Sequence, residues 1–368
     1  MREGRTPEQE VGIIADKVPE MSGHPSAYHM DLGAATLLGA NIPLDGRIPT
    51  PGGRPVKVDG QSGFVYEESA ESQAFRRWQE REFLLVERQF AHKWRTTLNN
   101  VDLARIAAGI RAAGITPGTC RSPQDAKNIV DSFLECDGTE AVYQLNLALE
   151  IFEIPPQYDF RLFGRWATQD RASLRRFAPY AAHVVAVELF FRIALGAGLI
   201  GTADANNRTD IGYLFYTPFC QVFVSSDNLH RRCAPHFLRA NQTFVWGSDL
   251  KADLNRLTNV YACQPDEEKE QGLMRLAPTP PAHDRGVVAQ LWDSYFGSWR
   301  QRATETPQPR NPKEDAKLVA YMNRLFDAPA ISRNEMDFGP LDAKFVQIQR
   351  RITKQRGGWW QLPKDLKG

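Results

Sequence analysis

Asp210-Ile-Gly-Tyr-Leu-Phe-Tyr-Thr-Pro-Phe-Cys-Gln-Val-Phe-Val-Ser-Ser-Asp227 sets two carboxylates seventeen residues apart, at the two ends of an apolar run. Asp210 is placed to open a helix, and Tyr213, Leu214 and Tyr216 give that helix an apolar face. Pro218 should end it, because proline lacks a backbone N–H and clashes with the preceding turn. Gln221 to Val224 then reads as a buried strand. The strand ends in Ser225-Ser226-Asp227, so the second carboxylate would stand at a strand's carboxyl end, where open α/β sheets bind ligands. Such a sheet edge can hold a metal. Each acid also has a plainer role: Asp210 as an N-cap or first-turn acid favoured by the helix dipole, Asp227 as the cap of a helix beginning at Leu229.

The rest of the chain bounds these choices. With 368 residues, 42% of them hydrophobic, and eight Trp and twenty Phe, the chain can build one large domain or two ordinary ones. Its 45 basic and 44 acidic residues leave a net charge of +1, so no global field draws it onto nucleic acid or an acidic membrane, and any such binding must be local. The longest apolar stretch, Ala181 to Ile200, carries His183, Glu188 and Arg192 and reads as a core helix rather than a membrane span. Met1-Arg-Glu-Gly-Arg leads into a charged stretch without an apolar signal core. The five cysteines, at 120, 136, 220, 233 and 263, lack paired short spacings. The expectation is a cytoplasmic protein without a disulfide framework.

Most of the chain has helical periodicity. Glu68 to Leu98 places Phe75, Trp78, Phe83, Leu84, Val86, Phe90 and Trp94 at three- and four-residue spacings. Helices follow near Val101–Ala113, at Pro123–Glu135 with Ser122 as N-cap, over Thr139–Glu153, and over Ala178–Leu199, the most apolar of all. Asn41 to Gly63, rich in Pro and Gly, supports turns and at most a hairpin. Ala27 to Met30 reads as a short strand leading into Asp31. Further on come a helix at Leu229–Leu238, a strand at Thr243–Trp246, and helices at Asp249–Leu257, Val287–Arg302, Pro312–Phe326 and Asp342–Thr353. A tail from Arg350 to Trp360 mixes basic and aromatic side chains. This pattern predicts an α/β core over residues 1–264, with a helical insertion at about 64–177, and a helical C-terminal extension over 265–368.

Mg²⁺ and Mn²⁺ prefer hard oxygen ligands, typically a few carboxylates with water and phosphate filling the other positions. Asp31, Asp210 and Asp227 each sit at the boundary of an apolar segment, where a carboxylate can project from a sheet edge. The segments Ala-Tyr-His-Met-Asp31-Leu-Gly, Arg-Thr-Asp210-Ile-Gly-Tyr-Leu and Val-Phe-Val-Ser-Ser-Asp227 resemble the PIN-like nuclease superfamily, whose chains begin with a strand ending in Asp and later carry an acid opening a helix and another following a strand. In that family the last strand ends in a small hydroxyl residue, a variable residue and Asp, positions held here by Ser225, Ser226 and Asp227. The resemblance covers some thirty residues. It implies a small three-layer α/β/α core with a short parallel sheet, enlarged here by helical additions, and a Mg²⁺- or Mn²⁺-dependent nuclease acting on RNA more often than on single-stranded DNA. It also implies Asp31, Asp210 and Asp227 as metal ligands, Ser225 as a supporting hydroxyl, and one further acid on an intervening helix.

Glu188 is the preferred fourth acid, because an isolated carboxylate in so apolar a helix is costly without a partner; Glu150 and Glu87 are alternatives. A contact with Arg192 one turn on would explain Glu188 without a metal. Arg231 and Arg232, just behind Asp227, are placed to meet phosphates, and Trp359 and Trp360 of the tail could stack on bases. Against that, the tail also reads as a solvated, amphipathic terminus. His230, Cys233 and His236 have a spacing unlike common structural zinc sites. The chain has neither a Gly-x-Gly-x-x-Gly nor a P-loop motif. The competing expectation is a non-catalytic interaction protein that binds nucleic acid or a protein partner through its helical additions.

Overall fold

A computed structural model describes residues 4–17, 29–46, 54–65, 70–99, 102–270, 276–303 and 312–331. The helix expected over 342–353, the tail from 350 to 360, and residues 27–28 of the strand expected before Asp31 lie outside these. The protein is mostly helical with a short parallel two-stranded sheet. It divides into two compact units, one of residues 1–53 and 66–244, the other of 54–65 and 245–368.

The first unit is built around one helix. Helices α1 (Pro7–Lys17) and α2 (His29–Leu37) precede α3 (Ala70–Gln79) and α4 (Leu85–Asn99). They are followed by α5 (Leu103–Ala112), α6 (Pro123–Glu135), α7 (Ala141–Ile151), α8 (Asp159–Ala167) and α9 (Leu174–Phe177). Next comes α10 (Pro179–Gly196), against which α2, α5, α6, α7 and α9 pack. Its composition and length would suit a membrane span, but 78% of it is buried within the protein, as a helix apolar on all sides requires. Phe190, Phe191, Val184, Val187 and Leu195 are its contribution to the core.

Local chemistry explains the other elements. Ser122 and Asp125 form the reciprocal capping box that starts α6, as the sequence predicts. The single long helix expected over Glu68–Leu98 is instead two. Arg81 adopts φ 65° and its guanidinium takes the carbonyls of Trp78 and Gln79, closing α3. Glu87 then accepts from the Leu84 N–H at 3.0 Å to open α4. Periodicity carries across such a break because it reports which faces are apolar, not where the backbone turns.

Gly33, in α2, approaches the core without a side chain. A Cβ there would lie 1.9 Å from the Phe152 ring, and Phe152 is buried. Gly33→Ala is expected to cost about 1–3 kcal/mol through overpacking, read as a lower urea midpoint at unchanged m-value.

Beyond α10, helix α11 (Asn206–Gly212), a 3₁₀ segment (Tyr213–Phe219), strand β3 (Val222–Ser225) and helix α12 (Asn228–Cys233) follow in order. Strand β4 (Thr243–Trp246) pairs with β3, and the Thr243 N–H donates to the Gln221 carbonyl at 3.0 Å. Both strands were legible in the sequence, β4 at its full extent and β3 one residue later than expected, but β3 is not the buried strand predicted, since Val224 is exposed on it.

In the second unit an antiparallel hairpin, β1 (Arg54–Val58) with β2 (Gln61–Val65), turns at Asp59-Gly60, where both φ angles are positive. An Asp-Gly turn of that kind matches the twist of the strands it joins. Arg54 holds the hairpin to the carbonyl of Phe326 at the end of helix Pro312–Asp327. Helix α13 (Gly247–Ala262) carries Asp253, whose buried carboxylate accepts from the Val288 N–H at 2.8 Å and so fixes helix Val287–Tyr295. The helix expected over Val287–Arg302 breaks after Tyr295, and Gly297 takes φ 47° before a last turn at Trp299–Arg302.

Candidate functional site

The stretch from Asp210 to Asp227 folds by exchanging backbone partners for side-chain ones. In an α-helix the Leu214 carbonyl would accept from the N–H of residue 218, but that residue is proline. Here it accepts instead from His183 Nε2 at 2.9 Å and from the Thr217 hydroxyl at 2.9 Å, and the chain tightens into a 3₁₀ segment that contains Pro218. Pro218 therefore tightens this helical segment rather than ending it. The Thr217 and Cys220 carbonyls accept from the Gln242 side chain at 2.6 and 2.5 Å. Tyr180 donates to the Phe215 carbonyl at 3.3 Å, tying the segment to α10.

The two ends of the stretch come together through His230. Its Nε2 lies 2.7 Å from the Asp210 carbonyl and its Nδ1 lies 2.7 Å from Ser225 Oγ. The Asp227 N–H donates to the same Ser225 oxygen at 3.0 Å. The ring is buried, with Tyr213 and Phe223 edge-on at 5.7 and 5.3 Å. Asp227 caps α12, accepting from the Leu229 N–H at 2.5 Å, so the expected capping role is present alongside any other.

Asp210 does not open its helix as the sequence predicts. It is the fifth residue of α11, whose N-cap is Ala205; just before it the Asp204 carboxylate accepts from the Asn206 N–H at 2.9 Å. Among the described residues no donor or cation meets the Asp210 carboxylate. Burial pushes its pKa up, and the charge of Asp227 pushes it further, with His230 acting in the opposite sense. Two carboxylates close enough to repel, one of them half-buried and unpartnered, are an arrangement that a cation would relieve.

The remaining candidates are placed differently. Asp31 does not follow a strand: it is an exposed first-turn acid of α2, a position the helix dipole favours. The start of α2 is nevertheless tied to the stretch, since His29 stacks on Phe215 at 4.5 Å and meets the Tyr216 hydroxyl at 3.3 Å. Glu188 is buried and paired with Arg208 of α11, not with Arg192. The Arg208 guanidinium also lies 5.9 Å from the ring centres of both Phe191 and Phe215. Arg231 and Arg232 are exposed on α12, and Arg232 donates to the Leu199 carbonyl at 3.2 Å. His236 Nδ1 is 3.1 Å from Gln124 Oε1, and both nitrogens of His230 are engaged as described. Among the described residues no three His, Cys, Asp or Glu side chains converge as a ready-made metal cage.

Sequence reasoning missed Arg208 and considered His230 only for a zinc spacing, not for the bridge it makes. The signal for His230 was its place five residues after Ser225 and three after Asp227, around one helix start. Comparison with protein-family models, curated proteins and solved structures returns no match, so the reading of this site rests on its own geometry.

Proposed function

We propose that the chain is a metal-dependent phosphodiesterase, most simply an endoribonuclease, built on a PIN-like three-layer α/β/α core with helical additions. The observation that carries this reading is the Asp210 carboxylate, half-buried and unpartnered among the described residues, with the charge of Asp227 bearing on it. Mg²⁺ is commonly held by only one or two carboxylates together with water and substrate phosphates, so this pair is sufficient as an anchor. Asp31 is kept as the proposed third ligand on the resemblance alone: His29 ties the start of α2 to Phe215, but among the described residues Asp31 does not converge with Asp210 and Asp227. Glu188 is not carried into the ligand set, because its charge is balanced by Arg208.

When bound, Mg²⁺ or Mn²⁺ would polarise the phosphoryl oxygen and acidify an attacking water. The chain's own groups do the positioning. Asp227 is fixed by its cap bond to α12, and Asp210 is held through its carbonyl by His230. Arg231 and Arg232, exposed just beyond Asp227, supply cations for the phosphates of a bound strand. A second reading, a non-catalytic binding module, is favoured by the exposure of two large side chains, Phe160 at 92% and Tyr143 at 67%.

The test is cleavage of single-stranded RNA and single-stranded DNA with Mn²⁺, alongside a Mn²⁺-induced thermal shift. Asp210→Asn and Asp227→Asn are each expected to abolish the shift and lower cleavage by at least about 100-fold, the upper end of what even outer-shell changes cost a metal site. Metal-dependent cleavage that survives both substitutions overturns the assignment. A wild-type protein that neither binds Mn²⁺ nor cleaves leaves the binding module as the reading.

A further inference from the structure

We infer that His230 is a positioning residue for the two-carboxylate site, an inference that rests on the reading of Asp210 and Asp227 as the metal anchor. The argument follows from hydrogen-bond directions. A carbonyl oxygen only accepts, so the 2.7 Å contact with the Asp210 carbonyl requires the proton on His230 Nε2. In the neutral ring Nδ1 is then an acceptor, and the Ser225 hydroxyl donates to it at 2.7 Å. With its proton committed, Ser225 Oγ presents a lone pair to the Asp227 N–H at 3.0 Å. The result is a one-directional chain: Asp227 N–H to Ser225 O–H to His230 Nδ1, then His230 Nε2–H to the Asp210 carbonyl.

This chain fixes the backbone at both acids and leaves their carboxylates out of it. Asp210, on α11, lies three residues before the intervening 3₁₀-and-strand path and Asp227, the cap of α12, two residues after it, and one buried ring bridges the two, so the imidazole helps hold the backbone positions from which the carboxylates project. Supporting groups of this kind orient metal ligands, and their loss typically costs 10–100-fold in metal affinity or activity. The Tyr213 and Phe223 edges hold the ring in plane, which keeps the chain's two ends in register.

The experiment measures Mn²⁺ affinity by electron paramagnetic resonance for the wild type, His230→Ala, Ser225→Ala and the double variant, each at a temperature where circular dichroism shows it folded. Cys233→Ala, a buried change on the same helix outside the chain, serves as the matched destabilised control. The expected result is a 10–100-fold weaker Kd in His230→Ala, a similar loss in Ser225→Ala, less than the product of the two in the double variant, and no change in Cys233→Ala. Amide exchange at Asp227 should quicken in His230→Ala and Ser225→Ala, and the imidazole ¹⁵N shifts of the wild type should report a proton fixed on Nε2. Wild-type binding that His230→Ala leaves unchanged overturns this inference alone. An equal loss in the Cys233→Ala control does the same, because the effect is then general destabilisation. Absence of Mn²⁺ binding in the wild type overturns both the anchor reading and the inference built on it. Should His230→Ala fail to fold, Ser225→Ala decides the matter by the same criteria.

Discussion

Replacing Arg208 by alanine is expected to destabilise the first unit by about 3–5 kcal/mol, the cost of leaving a buried charge without its partner. Glu188 sits in the most apolar helix of the protein with only 7% of its side chain exposed, and Arg208 neutralises it from α11. The arginine is about one-third exposed, so part of its own charge remains solvated while the carboxylate depends on it. The asymmetry gives the test its direction. Glu188→Gln removes the charge that needs compensation and should cost less than Arg208→Ala. Pairing Arg208→Ala with Glu188→Gln should recover part of the loss, since neither buried charge then remains. Urea midpoints of the four proteins, taken as a double-mutant cycle, measure the coupling. A cost below about 1 kcal/mol for Arg208→Ala, the range of an exposed pair, would mean that Glu188 is solvated and available to a metal after all.

The same pair shows what the sequence could and could not convey. That Glu188 needs a partner is legible, because a carboxylate among Val184, Val185, Val187, Phe190 and Phe191 has no other way to be buried. Which partner it takes is not legible, because Arg192 lies one turn away in sequence whereas Arg208 arrives through the turn after α10. Strand β4 and the capped start of α6 were readable because their determinants are local. Asp31 was misread because a moderately apolar triplet before an acid suits a helix's first turn as well as a strand's end. The Pro218 segment was misread for a related reason. Proline removes a donor, but whether the chain stops there depends on which group satisfies the Leu214 carbonyl, and His183 does so from α10, 31 residues earlier in the chain. The pairing of Asp210 with Asp227 stands between these cases: the acids were visible, while the buried histidine that joins them was noticed only for a zinc spacing it does not serve.

Acidification from pH 7.5 to pH 5 is expected to weaken the fold by about 2 kcal/mol for each of two histidines. Burial lowers the pKa of His183 to about 4, helped by the nearby charges of Lys127, Arg175 and Arg239 and opposed by its bond to the Leu214 carbonyl. His29 is likewise lowered to about 4, by burial and then by Arg208. In the unfolded chain both take up a proton near 6.5, so between 6.5 and 4 the unfolded state binds more protons and stability falls as pH falls. Their contribution is complete above 6.5 and gone below about 4. Asp210, whose pKa is raised, acts in the opposite direction. The carboxylates held below their ordinary range, such as Asp137 beside Arg176, add their own loss only at lower pH. His236, lowered by burial and then by Lys127, adds to the loss between 7.5 and 5, and Asp210 opposes it. His183→Gln keeps an amide N–H for the Leu214 carbonyl but cannot titrate, so the stability drop between the two pH values, read from urea unfolding, should shrink by about 2 kcal/mol, the share of that one histidine. An unchanged drop in His183→Gln would show that His183 is protonated in the folded protein, in which case its Nδ1 must have a partner or reach water.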